Sequence, residues 1–216
     1  MPEREGRKLR AVSWDCDGVL VERRIPIQFG ATVSHVVDFF RGRDMPPIDA
    51  VTLVVSRDIE EKPLEGVWGK VSYWAHQRRK ITDQVGNVLE AASDADHFIN
   101  TGRRNTTPWV EMTWRKLQEA GIAGYFREAF FTPKGVSNTK SKIAVLRELA
   151  KLYGEENVWH VDDNERTVKA AARVFPNMHF IIVGRGLTSG MLFSKEEMKQ
   201  FSHVTRVTTL GPGSQG

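Results

Sequence analysis

The stretch Arg10-Ala11-Val12-Ser13-Trp14-Asp15-Cys16-Asp17-Gly18-Val19 decides how the rest of the chain is read. An apolar run of strand length, Arg10 to Trp14, stops abruptly at a carboxylate. Taken alone, Asp15-Cys16-Asp17-Gly18 could be no more than a turn after a strand, because Asp and Gly are turn formers. What recurs downstream gives it meaning.

Further strand-length apolar runs lie at Val51 to Val55, His97 to Asn100, Ala129 to Phe131, Val158 to Val161 and Met178 to Val183. Several are continuous, as strands buried on both faces should be. Helical stripes separate them: Val33-Val36-Val37-Phe40, Ile81-Val85-Val88-Leu89-Ala92, Val110-Trp114-Leu117, Ile143-Leu146-Ala150-Tyr153 and Val168-Ala171-Ala172-Phe175. Thr107 is expected as the N-cap of the third, with Pro108 at its first position, and Asn164 starts the fifth. Ser194 and Glu197 have capping-box spacing for a short last helix.

Strands alternating with helices predict an α/β fold, a doubly wound, Rossmann-like parallel sheet with helices on both faces. Residues 21–80 break the rhythm: they are rich in Pro, Gly, Arg and Trp, and their one strand-like run is isolated. They are expected to form a small cap inserted after the first strand, leaving 1–20 and 81–210 as the core. Trp68 and Trp74 in the insertion would line a pocket or a small core of its own. The Gly, Pro and Ser tail at 211–216 is expected to fray.

The 216 residues suffice for one α/β domain with a modest insertion, and their 40% hydrophobic and 27% charged content is that of a globular protein. No run approaches the roughly 18 apolar residues of a membrane span, and Met1 to Arg10 lacks a signal-peptide core. A single cysteine, Cys16, excludes an internal disulfide and a CxxC zinc site. A reduced, cytoplasmic setting is expected. The net charge of +4, from 31 basic and 27 acidic residues, permits an anionic substrate. The basic residues are scattered, which argues against a nucleic-acid partner.

Ligands of open parallel sheets bind beyond the carboxyl ends of the strands. Those ends carry Asp15-Cys16-Asp17-Gly18, then Thr101-Gly102-Arg103-Arg104, then Asp162-Asp163-Asn164. Carboxylates crowded at one rim raise one another's pKa unless a cation joins them. Hard oxygen donors without a His or Cys cluster point to Mg²⁺. A carboxylate can also act as a nucleophile and form an aspartyl phosphate. The metal, cationic side chains and backbone N–H groups would then stabilise the phosphoryl oxygens. Thr101, Gly102 and Lys142 are placed to supply the last two.

These residues resemble the haloacid dehalogenase superfamily over about residues 10 to 185. Its first motif, an apolar strand followed by DxDG and Thr or Val, reads Val12-Ser13-Trp14-Asp15-Cys16-Asp17-Gly18-Val19. Its second, a strand ending in Ser or Thr then Gly, reads Phe98-Ile99-Asn100-Thr101-Gly102. The third, a lysine opening a helix, is Lys142, and the fourth, an acidic pair after a strand, is Asp162-Asp163. The resemblance implies a Mg²⁺-dependent phosphatase of small phosphorylated substrates. Asp15 would be nucleophile and metal ligand. Asp17 would serve as acid and then base, its backbone carbonyl on the metal. Thr101, Gly102, Arg103 and Lys142 would bind phosphate, and Asp162 and Asp163 would complete the metal site. Dehalogenases of the superfamily lack the second Asp of the first motif, so Asp17 favours phosphoryl chemistry.

Alternatives stand beside this reading. Lys140 competes with Lys142 for the phosphate. Arg103 and Arg104 are equally readable as substrate contacts or as exposed loop residues. Asp163 could simply cap a helix, His160 reads as a packed core histidine, and Cys16 as a small buried filler. At the level of function the rivals are a phosphatase of nucleic-acid ends, a phosphomutase, and a non-catalytic interaction module.

Overall fold

The computed structural model describes residues 10–22, 53–55, 66–82, 84–184 and 201–207. The expected stripe Val33 to Phe40, the capping box at Ser194 and the tail 211–216 lie outside these residues. Strands are β1 (Arg10–Trp14), β2 (Val54–Val55), β3 (Ala95–Arg104), β4 (Phe126–Thr132), β5 (Val158–Asp162), β6 (His179–Val183) and β7 (Val204–Val207). Helices are α1 (Gly66–Gln77), α2 (Val85–Ala91), α3 (Thr107–Glu119), α4 (Asn138–Tyr153) and α5 (Glu165–Val174). The sheet order is β2-β4-β3-β1-β5-β6-β7.

All neighbouring strands from β4 to β7 are parallel. The chain winds from β1 through β3 to β4 on one side, then returns to lay β5 against the other edge of β1. That reversal makes the β1–β5 boundary the topological switch point, where such sheets open a crevice.

Side chains alternate across β1, as the two-residue period of a strand requires. Val12 and Trp14 enter a core cluster with Val85 and Leu89 of α2 and Val110 and Leu117 of α3. Ala11 enters the opposite cluster with Ile143, Leu146 and Leu149 of α4 and Val168 and Ala171 of α5. The central strand is thus buried on both faces, which explains its nearly continuous apolar sequence. One polar group on each face is satisfied internally. The Trp14 indole Nε1–H donates to His97 Nδ1 at 3.0 Å, and Ser13 lies against His160.

Three expectations are corrected. The sheet is not wholly parallel: Val54–Val55 pairs antiparallel with Phe131 and Phe130. The strand-like run assigned to the insertion therefore joins an edge of the core sheet, a common place for an antiparallel strand. The N-cap of α3 is Thr106, with Thr107 already helical. β7 was not foreseen, because its sequence Val204-Thr205-Arg206-Val207 is short and half polar. The chain leaves the core at Val21 and returns at Ile81, and these two residues form an antiparallel bridge. The Glu22 N–H donates to the Lys80 carbonyl at 2.9 Å, so both ends of the intervening segment are tied together. The side chain of Trp74 is 54% exposed and lies under the Arg78 guanidinium, whose Cζ is 3.9 Å from the ring centroid.

Asn164 caps α5 as its sequence position suggests, its Oδ1 accepting from the N–H groups of Arg166 and Thr167 at 3.1 and 3.3 Å. Asn164→Ala leaves both donors without that acceptor. The expected cost is about 1 kcal/mol, read as a lower urea midpoint at unchanged slope.

Candidate active site

The register brings the first and fourth acidic motifs together. Trp14 pairs with Val161, and the Asp15 N–H extends the ladder by donating to the Val161 carbonyl at 2.8 Å. Asp15 and Asp162 therefore sit side by side at the switch point. Asp163 follows at once, and one carboxylate oxygen from each of Asp15, Asp162 and Asp163 lies within 4.8 Å of the others.

Lys142, in the first turns of α4, reaches into this group. Its Nζ is 2.9 Å from Asp15 Oδ1 and 2.7 Å from Asp162 Oδ2. The structure thus places Lys142 against the acidic group; the backbone N–H of Lys140 donates to the N-cap Ser137 Oγ at 3.3 Å. The Lys142 carbonyl in turn accepts from Asn100 Nδ2 at 3.2 Å, fixing the start of α4 to the end of β3.

Burial and crowding act differently on the two carboxylates. Burial pushes Asp15 well above its ordinary range; Lys142 opposes this, while Asp162, Asp163 and Asp17 reinforce it. Burial also disfavours the charged form of Asp162, but Lys142 and His160 outweigh it and hold Asp162 low. His160 Nε2 faces Asp162 Oδ2 at 3.2 Å. A carboxylate only accepts, so Nε2–H donates, while Nδ1 lies 3.2 Å from the Ser13 carbonyl and 3.1 Å from its Oγ. His160 is the packed core residue expected, with a positioning contact its sequence did not announce.

Asp17 has a separate environment. Arg103 clamps it with two parallel bonds, Nε to Oδ2 at 2.9 Å and Nη2 to Oδ1 at 2.8 Å. Arg79 Nη1 and His76 Nε2 approach the same Oδ1 at 3.6 and 3.5 Å. Burial would raise the Asp17 carboxyl, yet Arg103 above all, then His76 and Arg79, hold it far below the usual range. The loop alternative for Arg103 is thereby overturned: it is 5% exposed, whereas Arg104 is an exposed residue. Thr101 and Arg103 are buried while Gly102 and Arg104 are more open, the two-residue period of a strand.

Thr101 is buried between these groups. Its Oγ1 accepts from the Arg103 N–H at 3.2 Å, which leaves the hydroxyl hydrogen to donate. Gly102 lies so close to the first residue of α4 that a Cβ would sit 2.5 Å from Asn138 Nδ2. Gly18 is more constrained still: its φ is +91°, and a Cβ would fall 1.9 Å from Asp163 Oδ2. Cys16 is buried as a filler, and burial pushes its thiol up to about 12.

Sequence reasoning gave no role to His76, Arg79 and Lys116. The Arg78-Arg79-Lys80 run reads as a solvated face; the structure buries its middle member and leaves the outer two exposed. No short motif encodes this arrangement, because it depends on how α1 meets α3.

The donor set fits Mg²⁺: three carboxylates converge, no nitrogen or sulfur ligand joins them among the described residues, and Asp15 is raised by burial and by acidic neighbours whose charge a divalent cation would offset. Asp15, Asp162 and Asp163 would hold it. The carboxylate of Asp17 points instead to Arg103.

Replacing Lys142 by Met leaves Asp15 and Asp162 buried without their shared cation. The expected loss is about 3–5 kcal/mol, measured by denaturant unfolding without divalent ions. Gly18→Ala should lose at least about 1 kcal/mol from its left-handed backbone alone. Part of the total should return when Asp163→Ala removes the collision, which a double-mutant cycle would read as non-additivity.

No protein-family model matches the chain, and no curated protein matches it. Solved structures do. A haloacid dehalogenase-like family hydrolase from Streptococcus pneumoniae aligns with a TM-score of 0.52 at 15% identity, over 92% of this chain and 94% of that one. CbbY from Rhodobacter sphaeroides, in complex with phosphate, gives 0.52 at 12% identity over 94% and 95%. L-2-haloacid dehalogenase from Xanthobacter autotrophicus, with chloropropionic acid covalently bound, gives 0.50 at 15% over 94% and 96%. With the acidic switch point at the ends of β1 and β5, these likenesses show that the chain has the α/β fold of the haloacid dehalogenase superfamily.

Proposed function

We propose that this protein is a Mg²⁺-dependent hydrolase of phosphomonoesters that works through an aspartyl phosphate on Asp15. The observation that carries the reading is the pairing of two carboxylates two residues apart in opposite settings. Asp15 lies against Lys142 and the acidic pair; Asp17 lies against arginines on the other side. Structures of this fold include dehalogenases as well as phosphate-bound proteins. The second Asp, which the resemblance associates with phosphoryl chemistry, favours the phosphatase.

The steps follow from the residues present. An oxygen of the Asp15 carboxylate attacks phosphorus, and the bond to the substrate oxygen breaks. Asp17, released from Arg103 and protonated from solvent for this half, passes that proton to the oxygen, which departs as an alcohol. Water then attacks the phosphoryl group, giving its proton to Asp17, and Asp15 is released with inorganic phosphate. The Lys142 ammonium and the Thr101 hydroxyl stabilise the charge on the transferring group. Bound Mg²⁺ would add charge neutralisation at the phosphoryl oxygens. With Arg103 bound to it, Asp17 is ionised, the form that accepts a proton from water in the second half.

Hydrolysis of phenyl phosphate with and without Mg²⁺ tests this. Asp15→Asn is expected to lower turnover by roughly a thousandfold or more. Wild-type activity indifferent to Mg²⁺, or unimpaired in that variant, would overturn the mechanism.

A further inference from the structure

Two cations and an imidazole converge on Asp17: Arg103, Arg79 and His76. They come from different elements. Arg103 lies at the end of β3, His76 on α1, and Arg79 just beyond it. Their convergence would be trivial if Asp17 alone gathered them. It does not, because each arginine is positioned by a group other than Asp17.

Arg103 Nη1 donates to Thr113 Oγ1 at 2.7 Å, and that hydroxyl donates to the Trp109 carbonyl at 2.7 Å. The guanidinium is therefore anchored to α3 by its third nitrogen. Arg79 is anchored through its backbone. The Lys116 Nζ donates to the Gln77 carbonyl at 3.0 Å and also to the Arg79 carbonyl, pinning the exit of α1 against α3. His76 Nδ1 donates to the Ser72 carbonyl at 2.7 Å, turning Nε2 toward the cluster. A buried lysine spent on two carbonyls is a costly way to hold a turn unless the turn must stay where it is.

The surroundings are aromatic. The Trp109 ring meets His76 and Tyr73 edge-on, with centroids 5.1 and 5.6 Å away. The Arg103 Cζ is 5.6 Å from the same ring. The result is a preorganised receptor for a planar anion, with a partly apolar wall. Asp17, with 28% of its side chain exposed, is the group within reach that now fills it.

We propose that Arg79 and Arg103, with His76 beside them, form a substrate-specificity subsite that receives a carboxylate carried by the phosphomonoester itself. The inference rests on the phosphatase reading of the neighbouring site and narrows its substrate class. Asp17 marks the receptor: a carboxylate already sits there in the bidentate geometry a substrate carboxylate would adopt. On binding, the substrate takes over the arginine contacts and Asp17 is released toward the reacting oxygen. Phosphomonoesters without a second anion leave the latch closed and bind weakly.

The test separates this from the catalytic reading by measuring binding without turnover. Phenyl phosphate and its 2-, 3- and 4-carboxy derivatives are titrated calorimetrically into the Asp15→Asn protein with Mg²⁺, the ring position scanning the reach between phosphate and carboxylate. At least one carboxylated ligand is expected to bind about tenfold or more tighter than phenyl phosphate, as one charge-assisted contact allows. Adding Arg79→Gln should abolish that preference, and Arg79→Lys should restore part of it, which a mere loss of folding would not do. Equal affinities for all four ligands, binding of none, or a preference that survives Arg79→Gln overturns the subsite. So does a dinucleotide 3′-phosphate that outbinds every carboxylated ligand, which would assign the arginines to a phosphodiester. Mg²⁺-dependent turnover by wild type, measured on phenyl phosphate and on its carboxylated derivatives alike, reports separately on the phosphatase reading, so either conclusion can fail without the other.

Discussion

The ammonium of Lys142 between Asp15 and Asp162 is the contact on which the arrangement depends. It joins the ends of β1 and β5 to the start of α4 across the switch point of the sheet. Without a cation there, two adjacent buried carboxylates could not both be charged at neutral pH. The shared lysine lets one stay ionised, while burial and its acidic neighbours still push the other up. A site in that condition favours the arrival of further positive charge, and its three converging carboxylates could hold a metal ion. Buried ion pairs are weak evidence for stability in themselves. Here the pair is better understood as a constraint that keeps the rim assembled and receptive.

Asp17 shows how little chain separates two opposite environments. Two residues after Asp15, and just before Gly18 with its positive φ, the carboxylate is met by Arg103 of β3 and by His76 and Arg79 at the end of α1. One carboxylate is pushed up and the other down. Splitting the pKa values of neighbouring acids is a recurrent way to give them different tasks. In this chain the split is made by Arg103, and its anchor is Thr113.

Segment 21–80 is tied into the core at its two ends and at one strand. Val21 bridges Ile81, Val54–Val55 extends the sheet beyond β4, and Lys116 secures the exit of α1. Residues on both sides of the Ile81 boundary therefore contribute to the environment of Asp17.

The sequence by itself determined the elements and the acidic rim. Continuous apolar runs ending in Asp15, Thr101 and Asp162 carry strand identity, burial on both faces and position at one edge of the sheet, because strand periodicity and parallel topology are local rules. Asn164 as a helix cap, Cys16 as filler and His160 as a core residue were equally legible. Tertiary structure alone decided the partners. A bidentate contact set Arg103 against Asp17, helix packing buried Arg79 within a run that looks solvated, and the start of α4 brought Lys142 against Asp15 and Asp162. Such contacts join residues at least 20 positions apart. They arise from how helices dock, and no spacing along the chain records that.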